Sequence, residues 1–352
     1  MIITRFHNME RLQLTVEFLT PTFLGGADQN AELRAAPFKN LLRQWWRVAV
    51  GSRYDDPAKM LAAEGELFGS VLDDNKAGAS QVRLALMPLD KEFNILEEDF
   101  AFGELKHPNV KGGSIPISSA LYLGYGPVTF SKTTKTKTQS KKYIKPGSKA
   151  LLTFDLPKAH GTTLYSILAY IDAFGTIGSR CRNGWGSLAL SGEGFKRQTP
   201  SVFISDDIDH IFNRNKQYPT TPGKDGKGLL CWESGPFPDW KQAMQALAKT
   251  YLDVRAKTDI NPPGVISKRH ILGYPITHHP LKEWGGGAGR MPSQLRLMVK
   301  RNAANQLVAR ILHLPHKLPQ HWDKALGPEL SVWKEIHEQL DKTTFHRCGG
   351  AQ

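Results

Sequence analysis

The chain has 352 residues and a formal charge of +13, from 46 lysines and arginines against 33 aspartates and glutamates. Length and apolar content suit two packed domains, and the cationic surplus, with a pI near 9.5, points to a polyanionic partner such as nucleic acid, or else to a plainly basic surface. Three scattered cysteines (Cys181, Cys231, Cys348) without a CxxC pair indicate neither a disulfide framework nor a thiolate metal site; with no apolar leader in MIITRFHNMERLQL and no long apolar run, the expectation is a cytoplasmic protein without a membrane partner.

Residues 12–18 alternate, with Leu12, Leu14, Val16 and Phe18 on one face, and predict a half-buried strand that stops at Thr20-Pro21. After the loop TPTFLGGADQNAELRAA, Pro37 sits where a helix begins, and Phe38, Leu41, Leu42, Trp45, Val48 and Ala49 recur at helical spacing up to Gly51. Alternating runs at 81–87 and 150–156 predict two more strands. Leu164, Ile167, Leu168, Ile171 and Phe174 then mark a helix that ends at Gly175, and WGSLAL, 185–190, reads as a closing strand.

The order β-α-β-β-α-β is the ferredoxin-like arrangement, an antiparallel sheet with helices on one face, here with a long insertion at about 90–148 between its second and third strands. The fold class is therefore α+β, and the first domain is taken as residues 1–191. Residues 192–230, rich in Gly, Pro, Asn and Lys, read as a linker or mobile loop. Beyond them a helix at roughly 239–253, a hairpin from SQLRLMV to QLVARILHL, and a helix with Trp333, Ile336 and Leu340 make a second α+β unit, 192–352. It reads as a degenerate, incomplete or permuted copy, because a last strand of ordinary length has no room before the chain ends.

The most specific local feature is GTIGSRCRNGWG, 175–186, between the end of a helix and the start of a strand. Its glycines, Gly175, Gly178, Gly184 and Gly186, permit close backbone approach, while Arg180 and Arg182, beside Ser179, can fork onto phosphates. Nucleotide-binding loops run from strand to helix, so this one is of another kind, and a plain Gly-rich connection stays open. Trp185 is read as core of the next strand.

On the first helix Lys39, Arg43 and Arg47 recur every four residues, forming either a stripe that tracks a phosphate backbone or an ordinary solvent face. Trp45 and Trp46 point about 100° apart, so one packs and the other lies at the rim; Trp46 is the candidate RNA contact. The segment SKTTKTKTQSKKYIKPGSK, 131–149, holds seven lysines, among them Lys132, Lys135, Lys137, Lys141 and Lys142, and no acid. It predicts a mobile arm that either binds RNA without sequence choice or only solubilises. Lys268, Arg269 and Arg290 belong to a basic stretch, 261–310, that extends the positive track or scatters over the surface.

Catalytic patterns are sparse. His278-His279 lacks a third ligand at metal-site spacing, and no metal, cofactor or triad motif occurs. His160 and His270 are the candidate general bases for an RNA cleavage by 2′-hydroxyl attack.

Three strings, EFLTPTFLGGADQNAELRAAPFKNLLRQWWR at 17–47, GELFGS at 65–70 and GTIGSRCRNGWGSL at 175–188, resemble the RAMP superfamily of CRISPR RNA-binding proteins. Within it, the TPTFLGG segment, the LRQWWR helix and RMPSQLRLMV at 290–299 are most similar to the first RAMP subunit of the type III-B, or Cmr, effector complex. The resemblance implies two ferredoxin-like domains in a ribonucleoprotein. It also implies a non-catalytic subunit that binds CRISPR RNA and target RNA near the 3′ end of the guide in antiviral defence, beside other Cmr effector subunits. The family's Gly-rich loop falls on Gly175, Gly178, Ser179, Arg180, Arg182, Gly184 and Gly186, and its basic helix on Lys39, Arg43 and Arg47; the lysine segment matches none of its motifs. The alternative within the superfamily is a metal-independent CRISPR-RNA-processing endoribonuclease. In that type the main Gly-rich loop lies near the C-terminus of the second domain.

Overall fold

A computed structural model describes residues 8–26, 30–71, 77–89, 95–96, 102–108, 113–130, 137–139, 141–214, 216–318 and 322–349. Strand β1 (Met9–Phe18) buries Leu12, Leu14, Val16 and Phe18 on its apolar face, as one-sided alternation requires. Helix α1 (Ala35–Val50) covers that face with Phe38, Leu41, Leu42 and Trp45. Helix α2 (Pro57–Phe68), absent from the sequence reading, starts where Asp56 accepts a hydrogen bond from the Ala58 amide and proline takes the first helical position.

Strands β2 (Arg83–Pro88) and β3 (Lys149–Pro157), helix α3 (Gly161–Phe174) and strand β4 (Leu188–Ser191) complete the first sheet. Its order is β4-β1-β3-β2 with every neighbour antiparallel, Leu12 opposite Phe154 and Val16 opposite Leu190. This is the expected β-α-β-β-α-β path.

The expected linker is folded instead. Helix Ile208–Asn213 is capped by Asp207 and buries Ile208, Ile211 and Phe212, and the strand Gly223–Asp225 pairs with Asp206–Asp207 and with Gly228–Leu229. Three apolar anchors outweigh the loop-forming composition around them.

The second sheet consists of β5 (Cys231–Phe237), β6 (Leu295–Arg301), β7 (Leu307–His313) and β8 (His346–Arg347), with α4 (Trp240–Lys257) and α5 (Glu329–Asp341) between. Its order, β8-β5-β7-β6, repeats that of the first sheet, so the unit is not permuted. The closing strand exists but is cut to two residues, which pair with Trp232 and Glu233.

The insertion is part of the second core. Phe102, Leu105, Leu123, Val128 and Tyr143 pack in one cluster with Trp185 and with Met244 and Leu247 of α4. Of the lysine-rich segment, residues 131–136 and 140, and so Lys132 and Lys135, lie outside the described residues. Lys137–Gln139 pairs with Val128–Phe130, and Tyr143 and Ile144 are buried, so the segment's C-terminal end is anchored rather than a free arm. Among the described residues no helix is long and apolar enough to cross a membrane.

Candidate nucleic-acid interface

The Gly-Arg loop starts at a helix end held by cations from the other sheet. Buried Lys300 donates to the carbonyls of Ile171 (3.0 Å), Gly175 (2.7 Å) and Leu188 (2.8 Å), and Arg310 donates to the Ala173 carbonyl (2.6 Å) while pairing with Glu233. Both satisfy the C-terminal carbonyls of α3 and oppose its negative pole. Burial pulls the Lys300 ammonium well below its ordinary pKa. For Arg310, burial acts in the same direction, but the Glu233 charge wins and raises it.

Two glycines set the path of the loop. Gly178 has φ of 92°, and a Cβ there would stand 2.6 Å from the Phe23 carbonyl oxygen; the following Ser179 amide donates to that oxygen at 2.9 Å. Gly186 has φ of 64°, and a Cβ would meet the Ile177 carbonyl oxygen at 1.7 Å. The loop is thus seated on the TPTFLGG segment, with Gly175 and Gly184 in its buried stems and Trp185 fully buried against Phe23 and Phe102.

The arginines occupy the outward turn. Arg180 is exposed with φ of 56°, and Arg182 is partly covered. Neither guanidinium forms a hydrogen bond or ion pair among the described residues. Partial burial lowers both pKa values, and at Arg180 the nearby Arg290 charge adds to the effect. Arg180 and Arg182, with no carboxylate partner among the described residues, create a local positive potential. Beside them, a cleft of about 490 Å³ opens between the loop and the start of α1, lined by Arg34, Asn40, Gln44, Gly178, Ser179 and Cys181 among others. The first turn of α1 carries no acid and no side-chain cap, so its free amides and positive pole add to the cleft's preference for anions.

Other predicted contacts lie elsewhere. The α1 stripe does not face outward as a phosphate track. Arg43 donates to Glu64 (3.1 Å) and to the carbonyls of Phe68 (2.9 Å) and Gly69, and Arg47 grips both Glu64 oxygens. Glu64 is fully buried, and such a carboxylate requires these partners. Trp46 is also buried, against Tyr54 and Phe68, because α1 is covered on a second side by α2; it is not a stacking platform. Lys39 remains half-exposed beside Ser80 and Arg83, its pKa lowered by partial burial and then by Arg43.

Lys268 pairs with Glu335 at 2.8 Å, and Arg269 donates to the Thr258 carbonyl at 2.9 Å. These bonds tie the segment before the hairpin to α4 and α5. Lys141 and Lys142 are half-exposed beside the anchored end of the insertion. His160 precedes α3 without capping it. His270 is fully buried; its Nδ1 takes a hydrogen bond from the Ser267 amide (3.0 Å) and its Nε2 faces the His279 carbonyl (3.3 Å). Burial lowers its pKa, and with both ring nitrogens engaged it is a structural residue rather than a general base. Among the described residues no group of three or more His, Cys, Asp or Glu is placed to hold a metal ion.

Two residues beside the loop escaped the sequence reading as a site. Arg296, 8% exposed, lies over the Trp45 ring, and His316 is close enough to feel the charges of Arg182 and Arg296. Arg296 is one of the cations of the basic stretch 261–310.

Comparison with known proteins places this geometry. A model of the RAMP superfamily matches residues 15–189. The CRISPR system Cmr subunit Cmr1-1 of Pyrococcus furiosus is 26% identical over 161 residues, 45% of this chain; the match spans 40% of that relative's length. The crystal structure of Cmr1 from Pyrococcus furiosus in its apo form is similar with a TM-score of 0.51 and 16% identity, over 97% of this chain and 99% of that one. A chain in the cryo-EM structure of the Type III-B Cmr-beta bound to cognate target RNA is similar with a TM-score of 0.49 and 15% identity, over 94% of this chain and 99% of that one. At these identities the structural likeness is one of fold. Residues 15–189 are thus similar to the RAMP superfamily, whose model they match.

Proposed function

We propose that this protein is a non-catalytic, cytoplasmic RNA-binding subunit of a type III-B CRISPR ribonucleoprotein. In that assembly it holds guide and target RNA near the guide 3′ end, beside other Cmr effector subunits, in antiviral defence. The reading includes two ferredoxin-like domains, residues 1–191 and 192–352. It is carried by one observation: the loop that closes the RAMP-like region presents Arg180 and Arg182 without acidic partners among the described residues, next to Arg290 and an anion-favouring cleft. Similarity to a Cmr subunit supplies the assembly.

In this reading the RNA backbone runs along Gly178–Arg182 past the start of α1. Arg180 and Arg182 contact phosphates, and the glycines let the strand approach the main chain. Lys39, Lys141 and Lys142 extend the track electrostatically. Arg43, Arg47, Trp46, Lys268 and Arg269 support the fold instead.

Replacing Arg180 and Arg182 together by Ala should weaken binding of a labelled single-stranded RNA roughly tens of fold and flatten its salt dependence. Wild-type affinity in the folded variant would sink the reading. Incubation with repeat RNA in a chelator tests the endoribonuclease alternative. The expected result is intact RNA, and a single product with a 2′,3′-cyclic phosphate would reverse the conclusion.

A further inference from the structure

The described residues include three buried cations, Arg296, Lys300 and Arg310. Lys300 is satisfied by three carbonyls, and Arg310 by Glu233 and the Ala173 carbonyl. Arg296 differs: its guanidinium stands 5.5 Å from the centroid of the Trp45 ring and forms no hydrogen bond or ion pair among the described residues. A buried charge left without a counter-charge is costly, so the fold has reserved this place for a partner.

The surroundings indicate what that partner is. Asn183 and Leu297 form a parallel β-bridge, and the Leu297 amide donates to the Arg182 carbonyl at 2.8 Å. The preceding residues, Arg182 and Arg296, therefore lie side by side on one face of this short ladder, where like charges repel. The carbonyl and amide of His316 are pinned by the Gln294 side chain at 2.8 and 3.1 Å, and its buried Nδ1 has no hydrogen-bond partner. Of the groups that shift Arg182 and Arg296, none is a carboxylate.

We infer that Arg182, Arg296 and His316 form a socket for one phosphate group where the Gly-Arg loop meets β6. Two guanidinium forks and an imidazole match a tetrahedral anion with several acceptor oxygens. Arg182 is partly covered, so the socket meets solvent on its side, toward the Arg180 and Arg290 pair. The inference rests on the RNA-binding reading for the source of the phosphate, a phosphodiester of the bound strand. The Trp45 ring, 5.5 Å from the Arg296 guanidinium carbon, ties the socket to the core.

The test uses the full chain with Arg296→Met, a substitution of similar volume that removes the unpaired charge, and with Arg182→Gln and His316→Gln at partly exposed positions in case the first fails to fold. Binding of a labelled oligouridylate is followed by anisotropy across a salt series, and thermal midpoints are measured with and without inorganic phosphate at constant ionic strength. We expect Arg296→Met to bind roughly tenfold more weakly, with the log–log salt slope reduced by about 0.7, the value for one single-strand phosphate contact. Inorganic phosphate should raise the wild-type midpoint and leave the variants unmoved. If wild type binds the RNA but Arg296→Met and His316→Gln match it in affinity, slope and response to phosphate, the socket is overturned and the RNA reading stands on the Gly-Arg loop. If wild type binds no RNA yet gains stability from phosphate through Arg296, the RNA reading falls and the socket serves a free phosphate.

Discussion

Acidification offers a quantitative probe of the second unit, because burial lowers the pKa of four of its histidines, His270, His313, His316 and His337. His337 on α5 lies 2.9 Å, Nε2 to Nδ1, from His313 on β7, with its ring against Trp232 and Trp333; burial, and then the Arg347 charge, pushes its pKa down to about 3. His316 is pushed down to about 4 by burial and then by Arg182 and Arg296. In the unfolded chain both titrate near the ordinary 6.5. Below that pH the unfolded state binds the extra protons, so stability present above pH 6.5 is lost as pH falls toward the folded values. Between pH 7 and pH 5 each histidine should cost about 2 kcal/mol, about 4 kcal/mol together. Asp341, held at about 2, contributes only below its ordinary 3.8 and leaves this window clear. The assay is urea unfolding followed by tryptophan fluorescence in phosphate-free buffer at the two pH values, for wild type, His316→Gln and His337→Gln. Each substitution should remove about 2 kcal/mol of the acid-induced loss. A wild-type stability that does not change with pH, or an acid-induced loss that neither substitution reduces, would refute the assignment of neutral buried rings.

The remaining predictions concern supports of the candidate interface. Arg43→Ala with Arg47→Ala strands the buried Glu64 carboxylate; since the two arginines are 28% and 40% exposed, the usual cost of a broken buried pair is discounted to about 2–4 kcal/mol. Urea midpoints should show that loss, while RNA affinity of the folded variant stays within about twofold, as befits structural arginines. Lys300→Met deprives the Gly175 and Leu188 carbonyls of a donor but no longer buries a cation, for a net loss of about 2 kcal/mol in the same assay. Gly178→Ala forces a side chain into a left-handed backbone facing the Phe23 carbonyl. It should lower the thermal midpoint by an amount equivalent to about 1–3 kcal/mol and weaken RNA binding.

Where burial is one-sided, the sequence displayed it. β1 and β3 alternate because a single face meets the core, and α1 repeats at helical spacing because its stripe covers that face. The loop 175–186 was readable because glycine and arginine have few other reasons to cluster at the end of a helix. What stayed hidden depends on surfaces contributed from elsewhere in the chain. Glu64, which claims Arg43 and Arg47, lies on α2, a helix whose apolar pattern went unread, and the same helix covers Trp46. Ile208, Ile211 and Phe212 are too few to give a period, yet they fold the segment taken as a linker.

β6 shows the problem most sharply. Arg296, Met298 and Lys300 share one strand face, and cations on a strand face ordinarily mark it as solvated. All three are buried, because β6 lies against the end of α3 and the Gly-Arg loop. A sequence cannot distinguish a face turned to water from one turned to a neighbouring unit; the difference becomes visible only in how each cation is satisfied. Lys300 finds its partners within the protein. Arg296, on the same strand face, has a ring contact with Trp45 but no hydrogen bond or ion pair among the described residues, and that contrast under otherwise similar burial is the reason to look for a phosphate there rather than along the more conspicuous stripe of α1.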